Sequence, residues 1–289
     1  VGVVFFGELA AFLSFQLLTC LYQASILQNP ATSTISGRCC PFPPHAQNAG
    51  HAMNTQVRDY STNNVVKYAV RLATQGTPQD CHELARTREF HDLCAKKDDA
   101  PWVRDFPYSE RAELYAHVNN QVLGNTPIDY LEFGVAQGGS LKAWLGLNQH
   151  PESRFFGFDS FEGLPEHWHA KAPKGAYSTG RKIPDLDDSR VSFVQGLFQQ
   201  TVDAFSREFS PRNQLVLHMD ADLYTSTLYV LMNMDRHIHR GAVLLFDEFN
   251  ARCFTDEFAA LQDWSRACMK PYTFIARRTD FAKVAVQVL

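Results

Sequence analysis

The sequence predicts an α/β fold: a doubly wound, mostly parallel sheet with a terminal β-hairpin and an N-terminal helical extension. Three observations predict it. From Ile128 onward, short apolar runs alternate with helical segments, the pattern of strands joined by crossover helices. Acids and glycines cluster directly after five of those runs, where open parallel sheets bind ligands. Finally, "YTFIA" and "FAKVAVQVL", separated by "RRTD", read as a hairpin that adds antiparallel pairing to the sheet.

Residues 1–28 form a hydrophobic segment whose first 27 residues carry one charge, Glu8. Its length suffices to cross a bilayer. Glu8, Gln16 and Gln23 interrupt it, and an acid at mid-membrane costs about 2.5–3.5 kcal/mol on insertion scales. It lacks the basic start of a secretory signal. Two readings stay open, a membrane anchor and a helix packed on the body or a partner. Residues 29–63, rich in Pro, Ser, Thr, Asn and Gly, read as a linker.

Residues 64–127 read as a helical extension. Its segments are "VVKYAVRLA", "QDCHELARTREFHDLCAKK" and "SERAELYAHVNNQVLG", the last with Ser109 as N-cap and Gly124 as stop. The domain that carries the chemistry spans 128–289. Its strands are "IDYLEFGV", "RFFGFD", "VSFVQG", "QLVLHMDAD" and "GAVLLFDEF", and its helices "SLKAWLGLNQ", "STLYVLMNMDRHI" and "TDEFAALQDWSRAC".

Composition bounds the function. The chain has 289 residues, 45% hydrophobic and 20% charged, with net charge −4. These values suit a globular protein and offer no basic face for nucleic acid. The seven cysteines are scattered without a CxxC, which argues against a zinc ribbon and for reduced thiols; the adjacent Cys39 and Cys40 are the one pair placed for redox chemistry.

The first cluster, "EFGVAQGGS", places Gly134 where backbone can approach a ligand and Ser140 at a helix start. Its spacing is not GxGxxG, so a nicotinamide-type pyrophosphate cradle is not indicated. The second, "DSFEGLPEHW", begins at Asp159, 26 positions after Phe133. An acid at the end of a second strand accepts hydrogen bonds from ribose hydroxyls, and Phe161 is placed to cover an adenine ring. The third, "QGLFQQT", is small and polar around Gly196 and suits the adenine side of a nucleoside.

The fourth and fifth belong together. Asp220 and Asp222 lie two apart, and Asp247 and Glu248 end the next strand. Sequential strands joined by one helix are usually adjacent. Four carboxylates then converge, and like charges so close call for a cation. Oxygen ligands suit Mg²⁺ or Ca²⁺ rather than zinc.

These runs, in the forms "LEFGVAQGGSLKAW", "FFGFDSFEGLPE", "VQGLFQQT", "MDADLYTSTLYVL" and "GAVLLFDEF", closely resemble the macrocin O-methyltransferase family. The resemblance covers about Pro107 to Leu289. It implies a class I S-adenosylmethionine-dependent, Mg²⁺-assisted O-methyltransferase acting on a sugar or secondary-metabolite hydroxyl. It implies that Glu132, Gly134 and Ser140 line the methionine part of the cofactor. It implies that Asp159 would hold the ribose, with Ser160 and Phe161 nearby. It implies further that Asp220, Asp247 and Glu248 would ligate the metal and that Asp222 would be the general base. Glu248 departs from the second aspartate the family leads one to expect, and is one methylene longer.

A sugar hydroxyl is a very weak acid. A metal would lower its pKa, a carboxylate would take the proton, and positioning would supply much of the rate. Two rivals share the sheet: an NAD(P)-dependent oxidoreductase, and a non-catalytic membrane-tethered binding protein. The missing GxGxxG and the four acids disfavour the first, and the complete carboxylate set disfavours the second. The expected partner is a small-molecule hydroxyl acceptor beneath the lid-like "EHWHAKAPKGAYSTGRKIPDLDD", with no nucleic acid. A homo-oligomer and a membrane contact through residues 1–27 stay open. The expected location is cytoplasmic, with or without membrane association.

Overall fold

The computed structural model describes residues 78–96, 104–106, 111–278 and 281–289. The hydrophobic segment 1–28, the linker 29–63 and the start of the helical extension lie outside these residues. Contacts divide the chain after Cys81, and the architecture below is that of 82–289. Among the described residues, no helix is long and apolar enough to cross a membrane.

The elements follow in order: α1 (Pro78–Lys96), β1 (Arg104–Phe106), α2 (Arg111–His117), β2 (Ile128–Phe133), α3 (Gly139–Leu147), β3 (Arg154–Asp159), β4 (Val191–Gln195), α4 (Phe198–Glu208), β5 (Gln214–Met219), α5 (Tyr224–Met234), β6 (Val243–Phe246), α6 (Ala251–Phe254), α7 (Glu257–Ala267), β7 (Tyr272–Arg278) and β8 (Val284–Val288). The expected strands all form. The third polar cluster runs into a helix, with α4 starting two residues after Gly196. The segment after α2 continues as a wider turn, Val118–Val122, before Gly124 reverses it at φ 63°.

Eight strands form one sheet in the order β1-β7-β8-β6-β5-β2-β3-β4. All neighbours are parallel except those of β8, which runs antiparallel to both β6 and β7. From β2 the chain steps outward through β3 and β4, then returns to β5 on the other side of β2 and proceeds to β6. This reversal between β2 and β5 is the switch point at which such sheets open a crevice beyond their carboxyl ends.

The central strands explain the fold's stability. Every residue of β2 and of β6 is buried. Two groups of helices cover the sheet: α4, α5 and α7 pack side by side, and α2 packs against α3. Tyr115, Tyr130, Trp144 and Phe155 fill the core beside the second group. Burial of each such side chain contributes roughly 1.5–3 kcal/mol. Helix α1 joins through Phe90, which stacks on Phe254 at 4.2 Å, and Arg86, which grips Asp263 at 2.7 Å.

Candidate active site

A cavity of about 280 Å³ opens at the carboxyl edge of the sheet. Seven predicted residues line it: Gly134, Asp159, Ser160, Gly196, Asp220, Asp222 and Glu248. They come from the loops after β2, β3, β4, β5 and β6, so one crevice gathers all five clusters. Gly134 is required by close approach. It adopts φ +99°, and a Cβ there would lie 1.8 Å from the Asp220 carbonyl oxygen.

Asp159 joins two of these loops. Its Oδ2 accepts hydrogen bonds from the Val135 and Ala136 amides at 2.9 and 2.7 Å, and its Oδ1 from the Phe161 amide at 2.7 Å. This knot shapes the β2–β3 side of the cavity. Phe161 itself is 1% exposed and sits in the core, edge-on to Phe193, outside the cavity lining.

Glu132 and Ser140 also lie outside the lining. The Ser140 hydroxyl donates to Glu132 Oε1 at 2.7 Å, and the Tyr130 hydroxyl donates to Oε2 at 2.6 Å. His218, fully buried, continues the chain: Nδ1 lies 2.5 Å from the Tyr130 oxygen and Nε2 lies 2.9 Å from Asp247 Oδ1. Burial opposes a charge on His218, but Asp247 and Glu132 outweigh it and raise its pKa well above the ordinary histidine value. Both ring nitrogens then donate, which satisfies the two short contacts.

Asp247 is 1% exposed and ends this chain inside the protein. Tyr115 donates to its Oδ1 at 3.1 Å, and Lys283 to its Oδ2 at 2.7 Å; Arg111 lies 3.3 Å from Oδ2. Burial alone would raise its pKa, but His218 and Lys283 hold it well below the usual carboxylate range.

Asp220 and Asp222 are different. Burial, and then neighbouring acids, push both upward, and Asp222 reaches about 8. Asp222 takes a left-handed φ of 61° and stays 8% exposed, so a strained turn keeps this carboxyl in the cavity wall.

Two acids that sequence reasoning missed hold the site together. Glu257, fully buried at the start of α7, accepts the Glu248 amide at 2.9 Å and the Ala221 amide at 3.4 Å. One carboxylate thus bridges the loops after β5 and β6. Asp256 accepts the Trp168 indole N–H at 2.9 Å and the Arg252 guanidinium, which fixes the lid-like segment through Trp168. Arg252, Cys253 and Phe254 all have left-handed φ, a short strained turn that delivers both acids. The sequence does carry a trace: "DEF" at Asp247–Phe249 recurs at Asp256–Phe258.

The residues fit a nucleoside cofactor: glycines let the backbone close in, and Asp159 stands at the end of β3. They do not fit a metal as placed. Asp247 is saturated by protein donors, and among the described residues no three His, Cys, Asp or Glu side chains are arranged to hold an ion.

A switch-point crevice on this sheet, with an acid closing β3 and an antiparallel strand beside β6, defines a Rossmann-like class I methyltransferase fold. The calicheamicin methyltransferase CalS11 shares it, with a TM-score of 0.51 at 19% identity over 84% of this chain and 99% of that one. The chain belongs to the Macrocin-O-methyltransferase (TylF) family, whose model matches residues 108–270.

Two curated relatives are similar. One, from Streptomyces olivaceus, is the 8-demethyl-8-(2,3-dimethoxy-alpha-L-rhamnosyl)-tetracenomycin-C 4'-O-methyltransferase, 28% identical over 46% of this chain and 57% of that protein. The other is the demethyldecarbamoylnovobiocin O-methyltransferase of Streptomyces niveus, 27% identical over 48% of this chain and 60% of its own length. The chain therefore spans less than two thirds of the length of either relative.

Proposed function

We propose that the protein transfers a methyl group from S-adenosylmethionine to a hydroxyl of a sugar or sugar-bearing secondary metabolite. The observation that carries this is the placement of Asp159 and Asp222 in one cavity, at opposite sides of the β2–β5 switch point. When bound, S-adenosylmethionine supplies an electrophilic methyl on a sulfonium. Gly134 and Gly196 admit it closely, and the loops tied by Asp159 hold its nucleoside. Glu132 and Ser140 support the methionine end from beneath the cavity floor rather than from its lining.

Asp222 takes the acceptor's proton. Its raised pKa suits it to a weakly acidic partner, since a general base works best when its pKa lies near the working pH. Leu164, Pro165 and Tyr177, which line the same cavity, form the acceptor wall. Mg²⁺, which the family resemblance implies, is left out of this scheme because Asp247 already holds four protein donors.

Calorimetric titration with S-adenosylmethionine, followed by a methyl-transfer screen against sugars and phenols, tests the proposal. Binding and transfer to a sugar hydroxyl are expected. Binding of a nicotinamide dinucleotide instead, with no affinity for S-adenosylmethionine, would overturn it.

A further inference from the structure

We infer that Lys283 is the resident cation of the acid cluster, and that Asp220, Asp247 and Glu248 consequently do not take up a divalent metal in this protein. The inference rests on the site assigned above, but not on the identity of the acceptor.

The placement follows from topology. Strand β8 runs antiparallel to β6, with Val284 opposite Phe246. The residue before Val284 therefore meets the residue after Phe246, and these are Lys283 and Asp247. The Lys283 ammonium donates to Asp247 Oδ2 at 2.7 Å and to the Asp247 backbone oxygen at 2.9 Å. Its side chain is only 9% exposed.

A carboxylate offers about four lone-pair positions. At Asp247, Lys283 and Arg111 meet Oδ2, while His218 and Tyr115 meet Oδ1. A Mg²⁺–oxygen bond needs about 2.0–2.1 Å and near-octahedral directions. An ion could reach Asp247 only by displacing one of these four donors, and it would then sit beside the Lys283 ammonium, a like charge. Charge supply points the same way. Lys283 meets Asp247 Oδ2 from within the protein, and the exposed Arg111 guanidinium brings a second cation to the same oxygen. Lys283 is a positioning residue: it lies outside the cavity lining and acts by fixing Asp247, and through it the loop that carries Glu248.

The test is Mn²⁺ binding by electron paramagnetic resonance on the full chain, in wild type, Lys283→Met and Lys283→Arg, with S-adenosylmethionine calorimetry on each sample. Wild type and Lys283→Arg should bind Mn²⁺ no better than nonspecifically. Lys283→Met, which opens Asp247 and removes the like charge, should bind at least about tenfold more tightly. Wild-type methyl transfer should survive EDTA. Stoichiometric, specific Mn²⁺ binding by wild type would overturn the inference, as would turnover that EDTA abolishes and Mg²⁺ restores. The wild-type measurements decide even if Lys283→Met fails to fold. Failure of wild type to bind S-adenosylmethionine would count against the proposed function, while the Mn²⁺ spectra would still decide the role of Lys283.

Discussion

Asp159→Asn isolates what the carboxylate at the end of β3 contributes. Three amides converge on it, two at Oδ2 and one at Oδ1. An asparagine side chain offers one oxygen and one NH₂ group. With its oxygen toward Val135 and Ala136, the NH₂ faces the Phe161 amide, donor against donor; the opposite orientation strands two amides. Val135 and Phe161 are 3% and 1% exposed, so water cannot readily replace the lost acceptor. A hydrogen bond to a charged group contributes about 1.5–3 kcal/mol, and an orphaned buried donor costs a comparable amount.

At least one bond is lost, so the expected penalty is about 2–3 kcal/mol. If the loops stay folded but no longer hold the cavity shape, S-adenosylmethionine affinity falls roughly 30- to 150-fold. If the penalty falls on the fold, the melting temperature drops by about 4–12 °C for a domain of this size. Calorimetry and thermal denaturation on the same samples separate the two. An Asp159→Asn protein with wild-type affinity and wild-type melting would show that the three amides do not depend on the charge, and the argument would fail.

Asp222→Asn keeps the size of the side chain but not its basicity; kcat should fall by roughly 10²–10⁴ with cofactor affinity little changed, and normal turnover at saturating acceptor would move the base elsewhere. His218 sits too deep to serve as a base for the acceptor, because it is fully buried between Glu132 and Asp247. Glu257→Ala should orphan the Ala221 and Glu248 amides at a cost of about 2–6 kcal/mol, and Glu257→Gln should recover part of it. In acceptor kinetics on the folded Gln variant, KM should rise with S-adenosylmethionine affinity retained; unchanged acceptor KM would remove Glu257 from the site's support.

Much of this was legible in the sequence. Apolar runs located β2, β5 and β6, because a strand buried on both faces leaves little room for polar residues; β4, at the sheet edge and only half-buried, is legible in its β-branched and aromatic residues. Acids and glycines placed directly after them located the crevice, because the carboxyl edge is where such sheets are open. What stayed hidden depends on pairing across distance. "YTFIA" and "FAKVAVQVL" read as a hairpin, and β7 and β8 do pair antiparallel. Nothing local says that β8 inserts between β7 and β6, and only that insertion brings Lys283 to Asp247. Asp256 and Glu257 read as ordinary acids at a helix start, where the dipole favours them; that they face Trp168 and the Ala221 and Glu248 amides follows from the strained turn before them. Phe161 pointed toward a base and went to the core, because its left-handed backbone turns the ring under the loop.

The position of β8 has a consequence for how the molecule is made. Of the eight strands it is the last to leave the ribosome, yet it lies third from one edge, between β7 and β6. Until it arrives, β6 shows an open apolar border, and β7 with β1 has nothing to join. Without β8, the sheet would divide into two parts with unpaired edges, the kind of border that invites aggregation. The same wedge carries Lys283, so Asp247 also waits for its counter-charge. Structural closure and electrostatic completion thus depend on one strand: whatever loosens β8 also strips Asp247 of its counter-charge.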